Sequence, residues 1–161
     1  KCTCSPQQVD SYMRKVSGPL LDRIDIIVEV PAVHFEDLRR RREAEPSAAI
    51  KERVNAARRM QHRRYGQSSG MYNARMGPNE MRTFCRMDEE SAELMKQAFD
   101  AFGLTARSYD RILKVARTIA DLDAVKRGIT REDGIIGGRL KKQHLMEAVQ
   151  MRALEKKYWN V

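Results

Sequence analysis

The stretch LTARSYDRILKVARTIADLD, residues 104–123, carries the strongest periodicity in the chain. Tyr109, Ile112, Leu113, Ala116, Ile119 and Ala120 recur at spacings of three and four, the pattern of a helix with one buried face. Thr105 stands where an N-cap would accept a first-turn N–H. On the side away from the core, Arg107, Arg111, Lys114 and Thr118 follow one another at i, i+4, i+7 and i+11. This basic stripe starts at a helix N-terminus, where unpaired N–H groups already carry partial positive charge, so Arg107 is disfavoured there by roughly a few tenths of a kcal/mol. An anion would offset that cost, and the combination suits a phosphate. The same residues also describe a solvated face with Asp110 and Asp121 as local partners, and spacing alone does not separate the two readings.

Upstream, Asp88 is placed as an N-cap, with Glu89 and Glu90 in the first turn. Met95, Phe99 and Phe102 then form a stripe that stops at Gly103. Downstream, the basic, glycine-rich connection from Ala124 to Lys142 leads to a last helix carrying Leu145, Val149 and Leu154 and ending near Trp159. The C-terminal half is therefore expected to be an α-helical bundle of three or four helices. Before it, GQSSGMYNARMGPN reads as a mobile loop. Pro46-Ser47 opens a helix to about Tyr65 with Ile50, Val54 and Ala57 as its apolar stripe, and FEDLRRRRE reads as a short helical turn. Near the start, Ile24 to Val30 alternates apolar and acidic residues up to Pro31 and reads as the single strand. It is preceded by SGPLLDRIDI, in which Arg23 sits between Asp22 and Asp25. That arginine can form an exposed salt bridge with either neighbour, worth at most about 1 kcal/mol. It can equally be held out by a rigid turn toward a partner's phosphate.

A chain of 161 residues with 42% hydrophobic content supports one domain, or a small domain with an arm. No apolar run approaches the roughly 20 residues needed to span a bilayer, and a cytoplasmic location follows as the expectation. The chain opens on Lys1, with its strand in the first thirty residues, as a piece of a longer protein would. The net charge is +9, and between Arg39 and Arg64 ten Lys or Arg face three Glu, a local surplus of seven. That surplus is read either as a surface for nucleic acid or as a solvated helix face, without the aromatic interleaving of a single-strand stacking platform. There is no G-x-x-x-x-G-K-[ST], so the chain cannot by itself cradle a nucleotide in a P-loop. His34, His62 and His144 lie near no Cys or Ser in a nucleophile-and-base pattern. Cys2 and Cys4 have C-x-C spacing, half of a four-ligand zinc site or two ordinary thiols, and Cys85 reads as a small buried hydrophobe.

Four segments together resemble the magnesium-chelatase-like AAA+ ATPases, in the ComM (YifB-type) competence branch: KCTCSPQQVDSYMRKVSGPLLDRIDIIVEVP at residues 1–31, YNARMGPNEMRTFC at 72–85, the stretch 104–123, and QHLMEAVQMRALEKKYW at 143–159. The resemblance implies a mainly α chain. It would be an AAA+ C-terminal helical lid bundle, with an N-terminal remnant (one strand, one or two helices) of the α/β nucleotide-binding core. Residues 1–65 would be the remnant, 66–78 a loop and 79–161 the lid. Without its parent sheet the strand would lack partners and could take another conformation. The connection 124–142 is longer and more glycine-rich than the family's usual link.

The resemblance further implies that the intact protein binds ATP and Mg and works as a ring, usually a hexamer. Arg23 matches the arginine finger that reaches a neighbour's γ-phosphate. Arg107 matches the sensor 2 arginine, with Arg111 one turn on as a second candidate. Family members carry C-P-C-G shortly before C-x-C, so Cys2 and Cys4 would be the remainder of a shared zinc site. A fragment without Walker A and Walker B is expected neither to be active alone nor to bind nucleotide tightly. For the intact protein the implied activity is an ATP-driven motor that remodels DNA, as in branch migration, with no membrane partner. Magnesium insertion into a porphyrin is the alternative the family name invites, and a non-enzymatic, basic nucleic-acid-binding module is the alternative from another class.

Overall fold

The computed structural model describes residues 3–21, 23–33, 35–39, 44–67 and 69–159, with backbone alone at 37, 38 and 153–159. In chain order the helices are α1 (Pro6–Met13), α2 (Gly18–Leu21), α3 (Phe35–Arg39), α4 (Ser47–Tyr65), a 3-10 turn (Asn73–Arg75), α5 (Pro78–Phe84), α6 (Glu89–Phe102) and α7 (Ala106–Arg127). A hairpin of β1 (Arg131–Glu132) and β2 (Ile135–Ile136) follows, and α8 (Lys142–Trp159) ends the chain. The chain is mainly α, with the expected lid-like helical bundle built from α5 to α8.

The punctuation read from sequence sets the long helices. Asp88 accepts the Ser91 N–H at 2.8 Å, and Gly103 ends α6 in the left-handed region. Thr105 accepts the Ser108 N–H at 3.1 Å to open α7. Ile112, Leu113, Ala116 and Ala120 of α7 are buried with Met76, Met81, Cys85, Met95, Leu140, Leu145 and Ala148, so α7 is the axis of the core.

A buried polar cluster fastens α4 and the hairpin to that axis. Arg64 near the end of α4 donates to Asp121 on α7 through both terminal nitrogens, one contact at 2.9 Å. It also donates to the Ile136 carbonyl on β2 and to the Asn73 side-chain oxygen at 3.0 Å. Arg117, one turn before Asp121, donates to the same carboxylate and to the carbonyls of Phe84, Gly137 and Gly138 at 3.1, 2.8 and 2.6 Å. The side chains of Arg64, Arg117 and Asp121 are fully shielded from solvent. Burial works against the charge on Arg64, but the Asp121 carboxylate more than offsets it and raises its pKa; on Arg117 burial prevails and lowers it. Gly137, at φ +82°, is required here: a Cβ would sit 2.7 Å from Nη2 of Arg64 and 2.8 Å from Oδ1 of Asp121.

Four expectations change. Ile24–Val30 pairs with no strand among the described residues, because no parent sheet is present; instead the Ile27 N–H donates to the Met151 carbonyl of α8 at 3.0 Å. On α4, Ile50 and Val54 are 42% and 44% exposed, and the buried positions are Ala57, Met60, Gln61 and Arg64, so of the expected apolar stripe Ala57 faces the core and Ile50 and Val54 do not. The segment read as a mobile loop contains Asn73, which is 2% exposed and donates through its side-chain amide to Thr118 and Asp121. The glycine-rich connection supplies the only strands among the described residues, turned at Asp133-Gly134 with both residues at positive φ.

Asp121→Asn leaves two buried arginines facing a neutral group, so unfolding free energy is expected to fall by about 3–5 kcal/mol, measured by equilibrium urea titration. His144 is buried; its Nδ1 accepts the Lys141 N–H at 3.1 Å, and burial holds its pKa below the usual value. The unfolded chain therefore takes up a proton below about pH 6.5 that the folded chain refuses until lower pH, and stability is lost as pH falls through that window. The urea midpoint should drop between about pH 7.5 and 5.5, and His144→Gln should flatten the drop.

Candidate functional site

A cleft of about 480 Å³ opens where the segment after α2 crosses the first turns of α7. Asp25 and Ile26 form one wall, Arg107, Arg111, Lys114 and Thr118 the opposite one, and Glu147 and Met151 of α8 a third. The stripe read from sequence thus lines a cavity in company with the segment that contains Arg23.

The residues of the stripe are not equivalent. Arg111 is ion-paired with Asp25 and donates to the Arg23 carbonyl at 2.9 Å. Lys114 Nζ donates to the Ala74 carbonyl at 3.3 Å. Thr118 donates to the Lys114 carbonyl at 3.0 Å and accepts from Asn73. Arg107 is exposed and has no ion-pair or hydrogen-bond partner among the described residues. It stands in the first turn of a helix that has no acidic residue there. Three of the four positions are therefore committed to holding the fold, and Arg107 lines the cleft without an ion pair among the described residues, in a lining that also holds Asp110 and Glu147.

Arg23 lies in the turn that follows α2, its N–H bound to the Leu20 carbonyl at 2.9 Å. Its side chain is exposed and ion-paired with no described residue. Asp25, one of its two candidate partners, is taken by Arg111; Asp22 lies outside the described residues. The turn is anchored from the far end of the chain. Buried Arg152 on α8 donates to the carbonyls of Leu21, at 3.3 Å, and Ile24, and lies 3.4 Å from the Ser108 hydroxyl at the start of α7. Leu21 is 1% exposed.

Cys4 is an exposed free thiol, Cys2 lies outside the described residues, and no group of three or more metal-ligating side chains occurs among the described ones. Cys85 is buried and its thiol is pushed up to about 11, chiefly by burial, as suits a core residue. Sequence reasoning counted Arg64 within a surface charge run and passed over Arg117 and Arg152. For Arg117 a signal exists. It falls between Ala116 and Ala120 on the buried face, where small side chains leave room for a guanidinium, and Asp121 follows at i+4.

Residues 44–152 match the family model described as magnesium chelatase, subunit ChlI C-terminal, and residues 1–38 match magnesium chelatase, subunit ChlI. The chain is 37% identical over 154 residues to the uncharacterized protein YifB of Escherichia coli, covering 95% of this chain and 27% of that protein. It is 34% identical over 151 residues to the competence protein ComM of Haemophilus influenzae, covering 93% of this chain and 26% of that protein. The chain thus spans about a quarter of the length of the curated relatives it matches.

Proposed function

Because this chain belongs to the magnesium chelatase ChlI family, in sequence the YifB and ComM kind, we propose that it is the C-terminal part of a ring-forming AAA+ ATPase. In this reading the chain contributes the arginines that read and stabilise phosphate charge, while the P-loop that cradles the nucleotide belongs to a part of the protein not contained in these 161 residues.

The observation that carries the reading is Arg107 at the N-terminus of α7, without an ion pair among the described residues, in a cleft shared with the Arg23 segment. A guanidinium beside unpaired helix N–H groups fits a phosphate oxygen, and the chain's own residues leave that place open. Arg107 takes the sensor 2 role, contacting phosphate from the lid. Arg23 takes the finger role, placing positive charge where negative charge grows as the γ-phosphoryl group departs. Bound ATP and Mg would supply the transferable phosphate and its counter-charge. For zinc, no group of three or more ligating side chains occurs among the described residues, and Cys2, the expected companion of Cys4, lies outside them.

We place the division between core remnant and lid at residues 39–43, between the two matched segments, because α4 shares the buried cluster with α7. The motor would act on DNA in competence, a reading supported by the relative named for that process. Magnesium insertion into a porphyrin draws its support from the family's printed name. A nucleic-acid-binding module draws on Lys51, Arg58, Arg59 and Arg63, which are exposed on α4 with no acidic partner among the described residues. DNA binding by this chain alone, with affinity falling steeply as salt rises, would favour that module.

In the full-length protein, Arg23→Ala should lower ATP turnover by about 10³ or more while nucleotide affinity changes only a few-fold. Arg107→Ala should weaken nucleotide affinity or turnover by roughly tenfold, the scale of one charge-assisted hydrogen bond. Steady-state kinetics with direct nucleotide binding measures both, and wild-type activity in both variants would end the finger and sensor 2 assignments.

A further inference from the structure

We propose that Arg111 and Arg152 are positioning residues that clamp the backbone around Arg23 to the lid, so that the lid sets where that arginine points. The inference rests on the finger reading of Arg23. It assigns Arg111 a different task from the phosphate contact expected from its place on the stripe.

Three carbonyls flanking or belonging to Arg23 are held by these two side chains. Arg152 binds those of Leu21 and Ile24, and Arg111 binds that of Arg23 itself. The Asp25 carboxylate completes the grip on Arg111, and the Ile27 N–H to Met151 carbonyl bond extends it toward Pro31. The segment contains no strand pairing of its own among the described residues, so these contacts decide its path.

An arginine that must meet a phosphate on another subunit gains nothing from its own flexibility, since a misplacement of about 1 Å can cost around 10²-fold in rate. Two guanidinium groups bonded to main-chain oxygens fix the point from which the Arg23 side chain departs and leave its guanidinium free. The anchors sit on α7 and α8, and Arg111 is one turn beyond Arg107 on the same helix. A shift of α7 driven by phosphate at Arg107 therefore carries the root of Arg23 with it, coupling the nucleotide-reading arginine to the finger through one rigid element. Arg111 paired with Asp25 is also a poor phosphate ligand, because it would have to give up that carboxylate first.

Asp25→Asn separates the two roles of Arg111. In the full-length protein, Arg111→Gln and Asp25→Asn should each lower kcat by about 10- to 100-fold with nucleotide KM changed less than about threefold. The double variant should be no slower than the worse single variant, as expected for partners in one interaction. Arg152→Lys, which keeps a donor, should retain more activity than Arg152→Met. Wild-type kcat for Asp25→Asn, together with a raised nucleotide KM for Arg111→Gln, would make Arg111 a phosphate ligand and overturn the clamp.

Hydrogen exchange on the 161-residue chain reads the clamp without ATP. Arg111→Gln and Asp25→Asn should speed exchange of the Ile24 and Ile27 amides by about tenfold while the Ala116 and Ala120 amides stay unchanged. Unchanged exchange at Ile24 and Ile27 would overturn the proposal. If Arg23→Ala proves silent in the ATPase assay, the finger reading falls by itself and the exchange measurement still decides whether the clamp exists.

Discussion

Asp121 is a single carboxylate shared by two arginines, and the architecture is arranged around that sharing. Arg117 comes from one turn earlier on the same helix, whereas Arg64 comes from α4, with the hairpin's Ile136 carbonyl as its other support. Taking three ionised groups out of water costs several kcal/mol each unless every donor and lone pair is met. Here one negative charge faces two positive ones, and the remaining donors go to the carbonyls of Phe84, Ile136, Gly137 and Gly138. The cluster can persist only while α4, the Asn73 turn, the end of α5 and the hairpin all stay in register with α7. It therefore fixes relative position more than it adds stability.

That constraint settles what α7 can do at its other end. Anchored through Arg117 and Asp121, and packed through Ile112, Leu113, Ala116 and Ala120, the helix is a rigid bar. One face of it lines the cleft, where Arg107 has no ion pair among the described residues and Arg111 is tied to the N-terminal arm. The arm in turn is held by Arg152, which reaches it across the start of α7. Buried charge along α7 thus supports exposed charge at its N-terminal end.

The helices were legible because their signals are local. The Thr105 and Asp88 caps, the Gly103 stop and the three-and-four spacing of residues 104–123 act within a turn or two, and the structure keeps them. The Ile24–Val30 alternation was also a real strand pattern, but a strand requires a neighbour, and none is present among the described residues. Ile50 and Val54 misled for a related reason: an apolar stripe buries only where something packs on it, and the bundle meets α4 at Met60 and Arg64. Asn73 sat in a glycine-rich stretch that reads as loose, yet its side chain is held by Thr118 and Asp121, more than forty residues away.

The sequence alone determined the helical class, the ends of the main helices, the basic stripe on α7 and, through resemblance, the family and the candidate roles of Arg23 and Arg107. Those properties depend on spacing and residue type along the chain. Tertiary structure decided which charges are free and which are bound. Arg64 reads as a surplus cation and Arg117 carries no reading of its own, yet both are sealed in the core; Arg111 reads as a phosphate candidate and is held by Asp25; Arg107 keeps its charge exposed. The physical reason is that the availability of a charge depends on burial and on a counter-ion brought in from a distant part of the chain, and neither is encoded in the spacing around it.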